Sequence, residues 1–254
     1  GDGATTSIIS TSSASDSIYM LGNTSTCNNA GSVYANAVRG SNGWTYVAAP
    51  NGGGVKISGI QGNASYGQGD TNASNRYESN ILTLNYYQVI ANSGPINITA
   101  TKATTSATWG VRFSTLGVLT SYIGKSGSAL STGYTAYPTI ASVNSTSDLT
   151  ITADSICPYY ANINTSGNIK FLSNANSFDY AVTANAADWG TTWNGPYASV
   201  QIGNAGTNGG NQNSTNISVD KISSSGDIAI YGGTVTLKGG ATTSETSGNG
   251  VLVK

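Results

Sequence analysis

Asp227-Ile228-Ala229-Ile230-Tyr231-Gly232-Gly233-Thr234-Val235-Thr236-Leu237-Lys238-Gly239-Gly240 is the most regularly patterned stretch of this chain. It reads as strand, glycine corner, strand, glycine corner. In Ile228-Ala229-Ile230 and Val235-Thr236-Leu237, apolar residues flank a small or polar one. That period of two marks a strand with one buried face. A β-hairpin gives the same local pattern, so the rest of the chain has to decide between a hairpin and successive coils.

Outward from this stretch the same short words recur. They include Val55-Lys56-Ile57, Ile81-Leu82-Thr83-Leu84, Ile96-Asn97-Ile98, Val111-Arg112-Phe113 and Leu149-Thr150-Ile151. Ile169-Lys170-Phe171, Val200-Gln201-Ile202, Ile217-Ser218-Val219 and Val251-Leu252-Val253 complete the set. Gly, Asn, Ser and Thr fill the segments between them, the residues that accept turn geometry. Helix signals are nearly absent, Glu78 and Glu245 being the only glutamates.

Several strands are preceded by related words: Ser93-Gly94-Pro95, Ser147-Asp148, Ser166-Gly167-Asn168 and Ser225-Gly226-Asp227. Their recurrence, at irregular intervals of roughly twenty residues, is that of a coil-by-coil solenoid. The predicted fold is therefore all-β, a right-handed parallel β-helix, with a β-sandwich as the alternative because its strands also recur between turn signals. Residues 51–254 read as the strand-repeat region. Residues 1–50 alternate weakly around Ile8, Ile9, Tyr19, Met20 and Leu21, and read as a cap, an irregular first set of coils or a donated strand.

Composition narrows the function. Charged residues make up 8%, with Lys+Arg 10 against Asp+Glu 11 and a net charge of -1. Without a basic surplus, nucleic acid is not an expected partner, and anionic lipid is not an expected docking surface. No apolar run is long enough for a transmembrane segment. The 15 Tyr and 4 Trp argue for a folded core and against disorder. A neutral polar surface of this kind suits surface-anchored or polymeric material outside the cell. Cys27 and Cys157 have no metal-type spacing. At roughly twenty residues per coil they would lie about 30 Å apart, beyond disulfide reach.

Catalytic chemistry finds few footholds. The chain contains no histidine, which removes Ser-His-Asp and Cys-His systems and imidazole zinc sites. The acids are scattered singly, whereas glycosidases need two flanking the scissile bond; Asp179 and Asp188 are close enough in sequence to meet in space, but their neighbours favour capping or turn roles. Gly67-Gln68-Gly69-Asp70 resembles half of a calcium-binding repeat, which makes Asp70 and Asn72 the candidate metal ligands; no cofactor is expected. Trp189, Trp193 and Tyr197 crowd three rings into a Gly/Pro-containing loop and are the candidate glycan-stacking residues. Thr99-Ala100-Thr101, Thr150-Ile151-Thr152 and Thr234-Val235-Thr236 are spaced too widely along the chain to form a ladder on consecutive coils.

Ser225–Gly240, Ser166-Gly167-Asn168-Ile169-Lys170-Phe171 and Asp148-Leu149-Thr150-Ile151-Thr152-Ala153 resemble the repeats of filamentous-haemagglutinin-like bacterial exoproteins. The resemblance implies a right-handed parallel β-helix projecting from the cell and serving adhesion or contact, and it supplies no catalytic residues. The expectation is a non-enzymatic, extracellular structural or adhesive segment at the cell surface. Its partners would be glycans or proteins of host or neighbouring cells, or copies of itself. The alternatives are a self-assembling fibre subunit and a carbohydrate-binding or carbohydrate-active β-helix.

Overall fold

The computed structural model describes residues 6–23, 38–39, 45–61, 82–83, 87–102, 111–112, 121–124, 145–153, 155–157, 161–173, 179–180, 192–193, 197–205, 216–219, 222–237, 241–244 and 250–253. The described residues contain strands and turns and no helix. In chain order the strands fall into triplets, each a circuit through three sheets. The first circuit is β1 (Thr6–Ile9), β2 (Ile18–Asn23) and β3 (Val38–Arg39); the second is β4 (Thr45–Ala49), β5 (Val55–Gln61) and β6 (Leu82–Thr83). The third is β7 (Tyr87–Ala91), β8 (Ile96–Lys102) and β9 (Val111–Arg112). The fourth is β10 (Ser121–Gly124), β11 (Leu149–Thr152) and β12 (Ser155–Cys157). The fifth is β13 (Ala161–Ile163), β14 (Asn168–Leu172) and β15 (Asp179–Tyr180); the sixth is β16 (Thr192–Trp193), β17 (Ser199–Ile202) and β18 (Asn216–Val219). β19 (Ile222–Ser224), β20 (Ile228–Ile230) and β21 (Thr234–Leu237) form the seventh, and β22 (Ala241–Thr243) with β23 (Val251–Val253) the last.

Apart from β16 with β19, each strand up to β20 pairs with the one three places later. The orders are β1-β4-β7-β10-β13-β16, β2-β5-β8-β11-β14-β17-β20-β23 and β3-β6-β9-β12-β15-β18-β21, with β19-β22 as a separate pair. A parallel bridge from Tyr197 to Ser224 ties that pair to the end of the first sheet. Every described strand pair is parallel. A sandwich of hairpins would require antiparallel pairs. Strands β1 to β4, within residues 1–50, open the same three sheets as the rest of the chain.

The register explains the core. In the eight-stranded sheet, Ile18, Val55, Ile96, Leu149, Ile169, Val200, Ile228 and Val251 stand in one column. Met20, Ile57, Ile98, Ile151, Phe171, Ile202, Ile230 and Val253 stand in the next inward one. From Val55 to Ile230 both columns are buried. They pack with Val47, Val89 and Ile163 of the first sheet and Ile156 and Ile217 of the third in one cluster. Each such aliphatic side chain contributes about 1.5–3 kcal/mol by leaving water.

The column positions correct the expected repeat. Only 20 residues separate Leu149 from Ile169, but 53 separate Ile96 from Leu149. Circuits are closed by connections of very different length, as the irregular spacing implied, but the average is not near twenty: the seven steps from Ile18 to Val251 cover 233 positions, about 33 per circuit.

The Ser/Thr/Asn-rich composition has a structural use at the corner before the eight-stranded sheet. Ser145, Thr165 and Ser224 each accept, on the side-chain oxygen, the backbone N–H two residues on, at 3.2 Å in all three cases. The same hydroxyls donate to the preceding circuit: Ser145 to Ala91 O (2.8 Å), Thr165 to Ser147 O (2.6 Å) and Ser224 to Tyr197 O (2.9 Å). One position further on, the Asn168 backbone N–H and Nδ2 donate to Asp148 Oδ1 at 2.8 and 2.9 Å, and Ser199 Oγ donates to Asn168 Oδ1 at 2.7 Å. The hydroxyl bonds of Ser145, Thr165 and Ser224 satisfy turn groups in the buried corner without charge, while the exposed Asn168 bonds use the Asp148 carboxylate. Circuits approach closely here. A Cβ on Gly167 would run into Ser147 O, and one on Gly226 into Ala198 O.

Candidate functional site

The outward residues of the eight-stranded sheet belong to the sheet with the most strands among those described. One column runs Tyr19, Lys56, Asn97, Thr150, Lys170, Gln201, Ala229 and Leu252. Neighbours in it are about 4.8 Å apart, the spacing of strands in a sheet. The strands of this sheet contain Lys56, Lys102 and Lys170 and no acid. Asp16, Asp148 and Asp227 lie at the corner before it, and the Asp148 and Asp227 carboxylates accept hydrogen bonds from Asn168 and from the Gly250 N–H. The Lys56 ammonium lies 4.8 Å from the Tyr19 ring centroid, a cation–π contact that fixes one end of the column.

A second outward column contains Leu21, Ser58, Thr99, Thr152 and Leu172. Thr99 and Thr152 are direct neighbours, so the expectation that the Thr-x-Thr words never meet on consecutive circuits is corrected. The 53-residue connection separates them in sequence but not in space. Ser58 and Leu172 flank them, and Thr236 pairs with Ser218 in the third sheet, so among the described residues these words form no longer threonine ladder.

Of the candidate glycan-stacking residues, Tyr197 is the one whose side chain is described. Tyr197 is fully buried and its hydroxyl donates to Ile163 O at 2.7 Å. It belongs to the core and presents no ring face to a sugar, which corrects its assignment. Trp193 lies in β16, where the backbone pairs with Ile163; Trp189 lies outside the described residues, as do Asp70, Asn72, Asp188 and Cys27. Asp179 lies in β15 opposite Ser155, and Cys157 ends β12 opposite Arg112. Among the described residues no three His, Cys, Asp or Glu side chains gather as a metal site, and no helix is long and apolar enough to cross a membrane.

The first sheet carries a second buried cluster. Tyr46, Ala48 and Ile90 are buried on the face opposite Val47, Ala49 and Val89. Burial there pushes the Tyr46 phenol up to about 12 by disfavouring the phenolate.

The two terminal circuits differ from the rest. Among the described residues the exposed large apolar side chains are Ile9, Tyr19, Leu21, Val251 and Val253. All of them lie in β1, β2 or β23. Sequence reading had the signal for the outward column, since each of its members from Lys56 onward is the middle residue of an alternating word. It lacked the register that aligns them.

No family model matches the chain, and neither the curated proteins nor the solved structures contain a match.

Proposed function

We propose that the chain is a structural and adhesive segment of a bacterial cell-surface protein. It is wound as a right-handed parallel β-helix and works outside the cell without catalysis. One observation carries this reading: apart from β16 with β19, strand n pairs in parallel with strand n+3 through the described chain, around one shared apolar core. Parallel strands joined by crossovers within a sheet favour the right hand by sterics. Backbone hydrogen bonds then run along the column axis, and each circuit adds about 4.8 Å of length.

The side-chain chemistry supports a mechanical role. Hydroxyl and amide ladders at the corners join circuit to circuit, so cohesion depends little on ionic strength. The words that resemble filamentous-haemagglutinin-like repeats fall on β11, β14, β20 and β21; in β11, β14 and β20 they supply inward apolar side chains, and in β11 and β14 outward Thr150 and Lys170. The partners in this reading are surface glycans or proteins of a host or neighbouring cell, or further copies of the chain.

The test is location and accessibility on the cells that make it. Antibodies raised against the folded chain should label intact cells, and external protease should remove that label. Detection only after lysis would contradict the reading. Release of new reducing ends from polysaccharides by the purified chain would replace it with a carbohydrate-active one.

A further inference from the structure

The turn from β4 to β5 contains an exposed asparagine followed by glycine, Asn51-Gly52. Gly52 has a φ of +86°, in the left-handed region that glycine adopts without strain. Among the described asparagines, Asn51 alone precedes a glycine. Asn97, Asn162, Asn168 and Asn216 precede isoleucines within strands, and a branched Cβ crowds the backbone nitrogen beside it. The Asn204 carboxamide is held at both ends: Oδ1 accepts the Ser173 N–H at 3.0 Å and Nδ2 donates to Ser173 O at 2.9 Å. Asn51 Nδ2 makes an exposed bond instead, donating to Thr11 O in the β1–β2 turn at 3.1 Å.

We propose that Asn51 is a site of spontaneous deamidation, and that its conversion loosens the second circuit from the first. The Gly52 backbone nitrogen gives its proton to a solvent base and attacks Asn51 Cγ, with no Cβ on glycine to obstruct the approach. An N–Cγ bond forms, the Cγ–Nδ2 bond breaks, and the amide nitrogen takes a proton from water and leaves as ammonia. Water then opens the succinimide ring. Cleavage of the new N–Cγ bond leaves an aspartyl side chain. Cleavage of the original peptide C–N bond leaves the main chain running through Cγ, an isoaspartyl linkage. No electrons are transferred to or from a further reactant.

The surroundings give the reaction a structural effect. A carboxylate accepts hydrogen bonds and donates none, so either product loses the bond to Thr11 O. The isoaspartyl product also lengthens the main chain in a turn that has no room for it. Gly54 N–H donates to Ala14 O at 3.1 Å, while Ile18 N–H and Ser17 Oγ donate to Gly54 O at 3.2 and 2.9 Å. A Cβ on Gly53 would run into Ser12 O, and one on Gly54 into Ser15 O. From the third circuit, a Cβ on Gly94 would strike Gly53 O. The turn is therefore clamped between the circuits on either side.

Ageing of the full chain in mildly alkaline buffer tests the site, because the attacking nitrogen must lose its proton. Aged and unaged samples are digested in acid and compared by mass spectrometry. The Asn51 peptide should lose its amide and gain an isoaspartyl fraction, while the Asn168 and Asn204 peptides keep their amides. Asn51→Gln retains a carboxamide at this exposed position, but its extra methylene demands a larger ring, so it should stay intact. The chain has four other Asn-Gly pairs, at Asn42, Asn194, Asn208 and Asn249, and the variant separates their effect from that of Asn51. After equal ageing the urea midpoint of the wild type should fall further than that of Asn51→Gln. An Asn51 amide that lasts as long as that of Asn204 would overturn the site. Equal falls in the wild type and Asn51→Gln would overturn the loosening.

Discussion

Replacing Ile151 by alanine should destabilise the fold by about 3 kcal/mol, while replacing its neighbour Thr150 should change stability by less than about 0.5 kcal/mol. Ile151 is fully buried, with Ile98 and Phe171 as its register partners above and below, both also fully buried. The substitution removes Cγ1, Cγ2 and Cδ1, each worth about 0.8 kcal/mol of transfer free energy. It also leaves a cavity that paired strands on both sides cannot close. Thr150 points outward between Asn97 and Lys170 and is only partly buried. Urea denaturation reads the difference as a lower midpoint for Ile151→Ala at unchanged slope. A strand shifted by one residue would exchange the two effects. A Thr150→Ala cost equal to that of Ile151→Ala, or an Ile151→Ala cost below about 1 kcal/mol, would refute the register and with it the inward columns.

Three further outcomes follow from single groups. The Ser147 hydroxyl is buried and has no hydrogen-bond partner among the described residues, so Ser147→Ala should raise stability by about 1 kcal/mol, and a lower urea midpoint would contradict this. Tyr197→Phe deletes the buried bond to Ile163 O and should cost about 1 kcal/mol; an unchanged melting temperature would show that the bond contributes nothing. Tyr46 loses its proton near pH 10 in an unfolded chain but only at about 12 in the fold. Between those values the unfolded chain binds fewer protons, so stability falls as pH rises through the window. Urea midpoints taken at pH 9 and pH 11.5 should fall less in Tyr46→Phe than in the wild type, and equal falls would contradict the assignment.

What could be read from the sequence depended on how each sheet is buried. Of the alternating words, seven fall on the eight-stranded sheet and four on the third sheet, and none on the first. The reason lies in strands such as β4, where Tyr46, Val47, Ala48 and Ala49 are all buried. A strand covered on both faces has no polar side to alternate with, so Thr45-Tyr46-Val47-Ala48-Ala49 carries no period of two. The corner words were legible as a repeat because Ser145, Thr165 and Ser224 do the same hydrogen-bonding work in the fourth, fifth and seventh circuits. Repeat length was not legible, since a connection as long as the one from Lys102 to Leu149 leaves the pairing of Ile98 with Ile151 unchanged. Tyr197 was misread because a ring near Gly and Pro looks like a loop aromatic. Its full burial and the bond to Ile163 O show that it fills the core.

The central claim is that sequence-distant strands stack one circuit at a time along a single axis. Electron–electron spin resonance between labels on the outward column tests it directly, with Cys27 and Cys157 replaced by serine and the protein kept dilute. Label pairs Asn97/Leu252, Lys56/Leu252 and Tyr19/Leu252 span five, six and seven steps of the register. Mean distances should rise in equal increments, at about 24, 29 and 34 Å. Distances that fail to rise with step number would contradict the stacked column.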